Sequence, residues 1–401
     1  MNEADKNKHI EAVIDAVDEH RDEILAFAQE LVGIQSYPGD EERAVRRVEA
    51  MMRHLGYDEV TVDGMGNLIG RVGCGPRVLM LDSHLDTVEV NDAEHWTVEP
   101  FSGVIRDGML YGRGSADMKS AAAASVYAAA LAKRVGALEG LTVYVSCSVM
   151  EEDCDGENLK YVFEQSGIRP EGVVICEPSS NRIALGHKGK AQMVVGTRGV
   201  SAHGAAPERG ENAVYRIPEI ITRVEHLAGR LLEQDAPRGT LVLSRISSVS
   251  ESLNAVPYEC EIYLDRRLAI GEDEHTVRRE MEALVDGTSA EWRFGTLHRR
   301  SWTGHEVVYE PVHPPWRIGT EHPLARTCAA GYQAVYGRPP LDAEFTFWNF
   351  STNAVASTAL GIPTIGFGPG SPELAHMRDE HCPVEQIIEA CRFYAAVIYL
   401  F

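Results

Sequence analysis

Three apolar runs that feed straight into acidic residues or histidine constrain this chain more than any other feature. Val78-Leu-Met-Leu81 leads into Asp82-Ser-His84-Leu-Asp86, Leu141–Val149 into Met150-Glu151-Glu152-Asp153, and Gly172–Cys176 into Glu177-Pro178. Their unbroken apolar character predicts strands covered on both faces, as in a parallel sheet. Around them, apolar residues at i, i+3 and i+4 predict helices over about 8–32 and Glu41–Leu55, and the Ala-rich stretch after Met118 predicts another. With a further strand at Asn67–Val72, the first 180 or so residues alternate strand and helix around one sheet.

The pattern changes after residue 187. A strand at Ala191–Thr197, a helix near Asn212–Leu232, strands at Thr240–Ile246 and Val256–Leu268, a helix at Asp273–Val285 and a strand at Ala290–Phe294 follow. That is the β-α-β-β-α-β order of a ferredoxin-like unit. The α/β character then resumes with helices Pro323–Tyr336, Thr352–Leu360 and Val384–Leu400 and a strand at Pro363–Phe367. At about 150 residues per domain, 401 residues give two or three domains. The expected fold class is therefore α/β: a mixed, mostly parallel sheet flanked by helices, built from residues 1–186 and 302–401, with an α+β ferredoxin-like domain inserted at 187–301.

Charge narrows the function. Sixty acidic residues against 38 basic ones give −22 at pH 7, so the basic footprint of a nucleic-acid binder is missing and anionic membranes would repel the surface. The longest apolar stretch, Ser120–Ala132, falls short of the roughly 20 residues of a membrane span. The charged N-terminus lacks the apolar centre of a secretory signal. Eight cysteines without a C-x-x-C pair point to a reducing, cytoplasmic setting, with Cys154, Cys176 and Cys382 read as buried, inert thiols. Trp302, Trp316 and Trp348 are read as packing residues.

Ligands of open α/β sheets bind beyond the carboxyl ends of the strands. Three such ends deliver His84, Asp86, Glu151, Glu152 and Glu177 to one edge, and Gly112-Arg-Gly-Ser-Ala-Asp117-Met-Lys119 brings another carboxylate at the start of the Ala-rich helix. Taken singly, each piece is weak; their joint placement carries the argument. So many converging carboxylates repel one another unless a divalent cation, or two, lies among them. Imidazole with carboxylate oxygens suits Zn²⁺ first and also admits Mn²⁺ or Co²⁺. A two-metal site needs a bridging carboxylate and a water, and the adjacent Glu151 and Glu152 could divide the duties of base and ligand. No G-x-S-x-G elbow supports a serine nucleophile.

The segments S-H-L-D-T-V, G-R-G-S-A-D-M-K, M-E-E-D, C-E-P-S and A-H-M-R-D-E, spread from about residue 80 to 381, resemble the motif series of the co-catalytic metallohydrolases. That family includes acetylornithine deacetylase, succinyl-diaminopimelate desuccinylase, aminoacylase, carboxypeptidase G and related dipeptidases. The runs E-E-D-C-D-G-E-N and A-P-E-R-G-E-N-A look most like its hydrolases linked to selenium metabolism. The resemblance implies two divalent metals: His84 and Glu177 on the first, Glu152 and His376 on the second, and Asp117 bridging them, with a cis peptide often found just after it. It implies Asp86 behind the His84 imidazole and Glu151 as general base. His203, in Gly199-Val-Ser-Ala-His203-Gly, would reach a neighbouring subunit's site, which makes the inserted domain a lid and dimerisation domain and the protein a homodimer or higher oligomer. Asn254 and Arg267 match substrate-contacting positions; Arg266, next on the strand, faces the other way. Thr352 and Gly368 fall in segments that could line the pocket, although Phe350, Ser351 and Asn353 depart from the Gly-Gly-Thr-Asp-Ala of many relatives.

The expected activity is hydrolysis of the amide bond of a small N-acyl amino acid. Alternatives are a dipeptidase, aminopeptidase or carboxypeptidase of the same family, an aryl-amine aminohydrolase and, last, a silent binding protein.

Overall fold

The computed structural model describes residues 3–235 and 238–401. Among them, nine strands form a mixed sheet in the order Glu59–Val62, Leu68–Gly73, Leu141–Ser148, Arg77–His84, Gly172–Ile175, Thr364–Gly366, Ile183–His187 and Trp316–Arg317, with Phe345–Trp348 also paired to Ile183–His187. The four middle strands run parallel. Successive side chains of a strand point to opposite faces, so Leu79 and Leu81 enter one core while Met80 enters another. On the first face lie the helices Lys119–Arg134 and Val384–Leu400; every residue from Lys119 to Ala132 is buried. Alanine dominates that helix because it is wedged between the sheet and its neighbours, where larger side chains would overpack. The second face is covered by Glu157–Ser166 and Ala354–Ala359 through Leu159, Phe163 and Ala356.

A second, antiparallel sheet has the order Thr240–Val249, Glu259–Leu268, Gly189–Arg198 and Glu291–Phe294, with Val312–His313 also paired to Gly189–Arg198. Numbering the first four by chain position gives 2-3-1-4, so the strands that follow one another through helices are not neighbours. The helices Ile217–Leu232 and Glu274–Val285 cover one face and build a separate core with Met193, Ile220, Val224, Ile262, Leu264 and Met281. Asp273 caps the second of them, accepting the Thr276 amide at 2.9 Å.

The structure departs from the sequence reading in places. The first expected helix is two, Glu3–Glu19 and Arg21–Val32, because the His20 ring Nδ1 takes the Ala16 carbonyl at 2.8 Å and displaces the helical ladder there. Glu59–Val62, Ile183–His187, Trp316–Arg317 and Phe345–Trp348 are strands that the apolar pattern did not disclose. Trp348 is buried and lies so close over Gly366 that a Cβ there would sit 1.9 Å from its ring, and Trp302 covers Gly66 in the same way.

Candidate metal centre

The carboxyl ends of three parallel strands and the start of the Lys119–Arg134 helix converge. His84 closes its strand, and its Nδ1 donates to the Asp86 carbonyl at 2.9 Å, which turns Nε2 towards Asp117 Oδ1 at 3.0 Å and Glu177 Oε1 at 3.6 Å. The other oxygen of Asp117 lies 3.4 Å from His376 Nε2, and His376 in turn lies 2.9 Å from Glu152 Oε2. Asp117 therefore has one oxygen towards each histidine. The Asp117–Met118 peptide is cis. His381 is turned away, its Nδ1 on the Asp379 carbonyl and its ring against Tyr111.

Asp86 works mainly through its neighbours. Its carbonyl, rather than its carboxylate at 3.6 Å, fixes the His84 ring. The carboxylate instead accepts the Glu152 amide at 2.9 Å and so caps the short helix Glu151–Cys154. Met150, just before that helix, has a φ of 60°, a conformation costly for a side chain of this size. Glu41 holds it there, taking the Met150 amide at 3.1 Å. His376 also has a positive φ, 64°. Its carbonyl accepts Arg113 Nη2 at 3.3 Å, and Arg113 makes a fully buried ion pair with Glu380 at 2.6 Å. Glu380 then accepts the amides of Ala116 and Asp117 at 2.8 and 3.0 Å, tying the loops that carry Asp117 and His376 together. Glu41, Arg113 and Glu380 received no role from the sequence. Arg113 and Glu380 stand in motifs that carry the resemblance, but their pairing spans 267 positions and no local pattern signals it.

The donor set fits divalent cations. Ligand atoms of His84, Glu151 and Glu177 all lie within 4.8 Å of one another, and so do those of His84, Asp117 and Glu152. Burial, and then the charge of Glu177, pushes the Glu151 carboxyl well above its usual range; burial and Asp117 do the same to Glu177. Asp117 moves the other way: burial alone would raise it, but hydrogen bonds from His376 and His84 hold it below the carboxylate range. Carboxylates this crowded are the environment that a dication relieves. No cysteine enters these groups among the described residues. Burial holds Cys154 at about 12 and pushes Cys176 and Cys382 up as well, so these thiols stay protonated.

A cleft of about 260 Å³ opens beside the cluster. Asp117, Glu151, Glu152, Glu177 and His376 line one side, and Lys190, Arg267, Phe350 and Ser351 line it as well. Arg267 reaches it from the second sheet, held by Asp265 at 2.7 and 3.2 Å; Arg266 faces the opposite way into Glu272 and Glu280. Thr352 is buried, its hydroxyl accepting the Ala354 amide, and the cleft takes Phe350 and Ser351 from that segment. Gly368 packs behind Glu177, where a Cβ would sit 2.2 Å from the Cys176 carbonyl oxygen. His203 and Asn254 adjoin each other on the inserted domain, with the Gly204 amide on the Asn254 carbonyl at 2.6 Å. Both are exposed and neither lines this cleft. His203 Nδ1 accepts the Ala205 amide at 3.0 Å, which leaves the proton of the neutral ring on Nε2.

Residues 80–400 match the family described as peptidase family M20/M25/M40. The uncharacterised protein YgeY of Escherichia coli K12 is 35% identical over 396 residues, covering 98% of each chain. Acetylornithine deacetylase of Pectobacterium carotovorum is 28% identical over 341 residues, covering 84% of this chain and 83% of its own. The crystal structure of human carnosine dipeptidase 1 superposes with a TM-score of 0.72 at 15% identity, covering 98% of both chains. No helix among the described residues is long and apolar enough to cross a membrane.

Proposed function

The chain belongs to peptidase family M20/M25/M40, and from that premise we propose that it removes the acyl group from a small N-acyl amino acid by metal-assisted hydrolysis. The observation that carries this reading is Asp117 set between His84 and His376 with the buried Glu151 beside them. His84 and Glu177 would hold one divalent ion, Glu152 and His376 the other, and Asp117 both. When bound, the ions supply Lewis acidity that makes water a nucleophile at neutral pH and polarises the scissile carbonyl; Zn²⁺ suits the donors first, then Mn²⁺ or Co²⁺. Glu151 takes the proton of the attacking water and passes it to the leaving nitrogen. Arg267 grips the substrate carboxylate through its planar fork, and Asn254, which lies beside His203 outside its own cleft, would assist from a second copy. The relative named for deacetylation favours deacylation over dipeptide cleavage.

His203 acts on the site of a second copy. Its exposure outside its own cleft and its Nε2 proton support donation to the oxyanion of the tetrahedral intermediate across a dimer. The strand Thr240–Val249 offers the surface for that dimer: it is the edge of its sheet and exposes Val242, Ile246 and Val249.

Free-amine release from N-acetyl and N-succinyl amino acids by the protein loaded with Zn²⁺, Mn²⁺ or Co²⁺ tests the reading. Activity is expected to vanish with chelator. Glu151→Gln is expected to keep both metals and lose about 10²- to 10⁴-fold in kcat; full turnover in that variant would overturn the assignment.

A further inference from the structure

On the second sheet, Arg267 pairs directly with Lys190, and Lys190 on its other side with His313. Residues directly opposite in antiparallel strands share one face, with Cβ atoms about 4.5–5.5 Å apart, and like charges so placed destabilise the sheet. Two basic side chains thus stand side by side over the cleft, a pairing that the sheet itself does not favour. Each is held by its own carboxylate. Arg267 has Asp265; Lys190 reaches across to Asp155, beyond the Glu151–Cys154 helix, at 2.9 Å, in a pair almost closed to solvent. Behind it the Tyr309 hydroxyl donates to the same Asp155 oxygen, and His313 Nε2 lies 2.8 Å from that hydroxyl. Burial alone would raise the Asp155 carboxyl, yet Lys190 and His313 hold it below its usual range. The Lys190 ammonium is locked in position with two of its three N–H groups uncommitted among the described hydrogen bonds.

We propose that Lys190 is a further substrate-binding residue, which selects substrates carrying a second oxygen acceptor, carboxylate or amide carbonyl, within a few bonds of the carboxylate taken by Arg267. The proposal rests on the amidohydrolase reading for the orientation of substrate in the cleft. It names the substrate class as N-acyl amino acids with a short, acceptor-bearing side chain. Asp155, Tyr309 and His313 act through Lys190 and are positioning residues.

Calorimetric binding to the metal-loaded Glu151→Gln protein tests it with N-acetylaspartate, N-acetylasparagine and their near-isostere N-acetylleucine. The expected result is at least tenfold tighter binding of one or both acceptor-bearing compounds than of N-acetylleucine; asparagine against aspartate tells carbonyl from carboxylate. The preference is expected to disappear when Lys190→Met and Asp155→Asn are added together, and to persist with Lys190→Arg. Should the double change prevent folding, Lys190→Gln, whose amide still donates to Asp155, takes its place and is expected to weaken the preference. Equal binding of all three compounds, no binding of any, or a preference that survives loss of the ammonium would overturn the proposal. Amine release from any amide substrate by the metal-loaded native protein would keep the hydrolase reading standing even then.

Discussion

His187 sits buried at the end of its strand with its Nδ1–H on the Lys188 carbonyl at 2.7 Å, and its Nε2 has no partner among the described residues. Burial, only partly offset by the Lys188 carbonyl, lowers its pKa from 6.5 to about 4. Across that window the unfolded chain takes up a proton that the folded one refuses. The stability is therefore complete above pH 6.5 and is lost as pH falls towards 4, by about 3 kcal/mol for this group. Urea unfolding at pH 7 and pH 4.5 is expected to show a smaller acid loss in His187→Gln than in the native protein. Equal losses would mean that the ring is not held neutral. A sequence gives no hint of this, because the environment of His187 comes from Trp316, far along the chain and packed edge-on against it.

Between elements, Asn353 is the tie that the motif comparison left unexplained. Its Nδ2 donates to Asp82 Oδ2 at 2.9 Å and to Ser148 Oγ at 3.0 Å, and its Oδ1 accepts the Gly156 amide at 2.9 Å. It thereby joins two strand ends to the loop before the Glu157–Ser166 helix. The aspartate common among relatives at this point would set two buried carboxylates against each other, so the asparagine goes with Asp82. Asn353→Asp is expected to cost about 3–5 kcal/mol in urea unfolding at pH 7, with most of it restored by adding Asp82→Asn. The long elements were legible because each carries a signal along its own length: unbroken apolar runs in the strands ending at His84 and Ser148, helical spacing before Gly56 and an Ala-rich run after Met118. Among the short ones, Gly172–Ile175, Thr364–Gly366 and Glu291–Phe294 were legible from their sequence pattern, whereas Ile183–His187 and Phe345–Trp348 were not. Glycine and histidine end the first and threonine interrupts the aromatic residues of the second, and the two are defined by pairing with each other. The centre itself was legible from strand ends, whereas its supports, Glu41, Arg113 and Glu380, are defined only by contacts made after folding.

For the whole molecule, the proposed dimer predicts that two dead proteins can restore one another. A subunit with Glu151→Gln still supplies His203, and one with His203→Ala still supplies Glu151. Unfolding and refolding the two as an equal mixture is expected to return about a quarter of native activity, since half of the dimers are mixed and each contains one intact site. Recovery of none would place His203 outside the partner's chemistry. The order of the central sheet has a consequence for biosynthesis. Thr364–Gly366 lies between Gly172–Ile175 and Ile183–His187, so a slot in the sheet waits for a strand made about 190 residues later than its neighbour. At a synthesis rate of about 5–20 residues per second, that wait is roughly 10–40 s. The inserted domain, whose core lies wholly between Ala191 and Ala290, can fold on the ribosome during that interval. The guest can be complete before its host, and His376, which lies beyond even that late strand, is made last of the residues gathered at the centre.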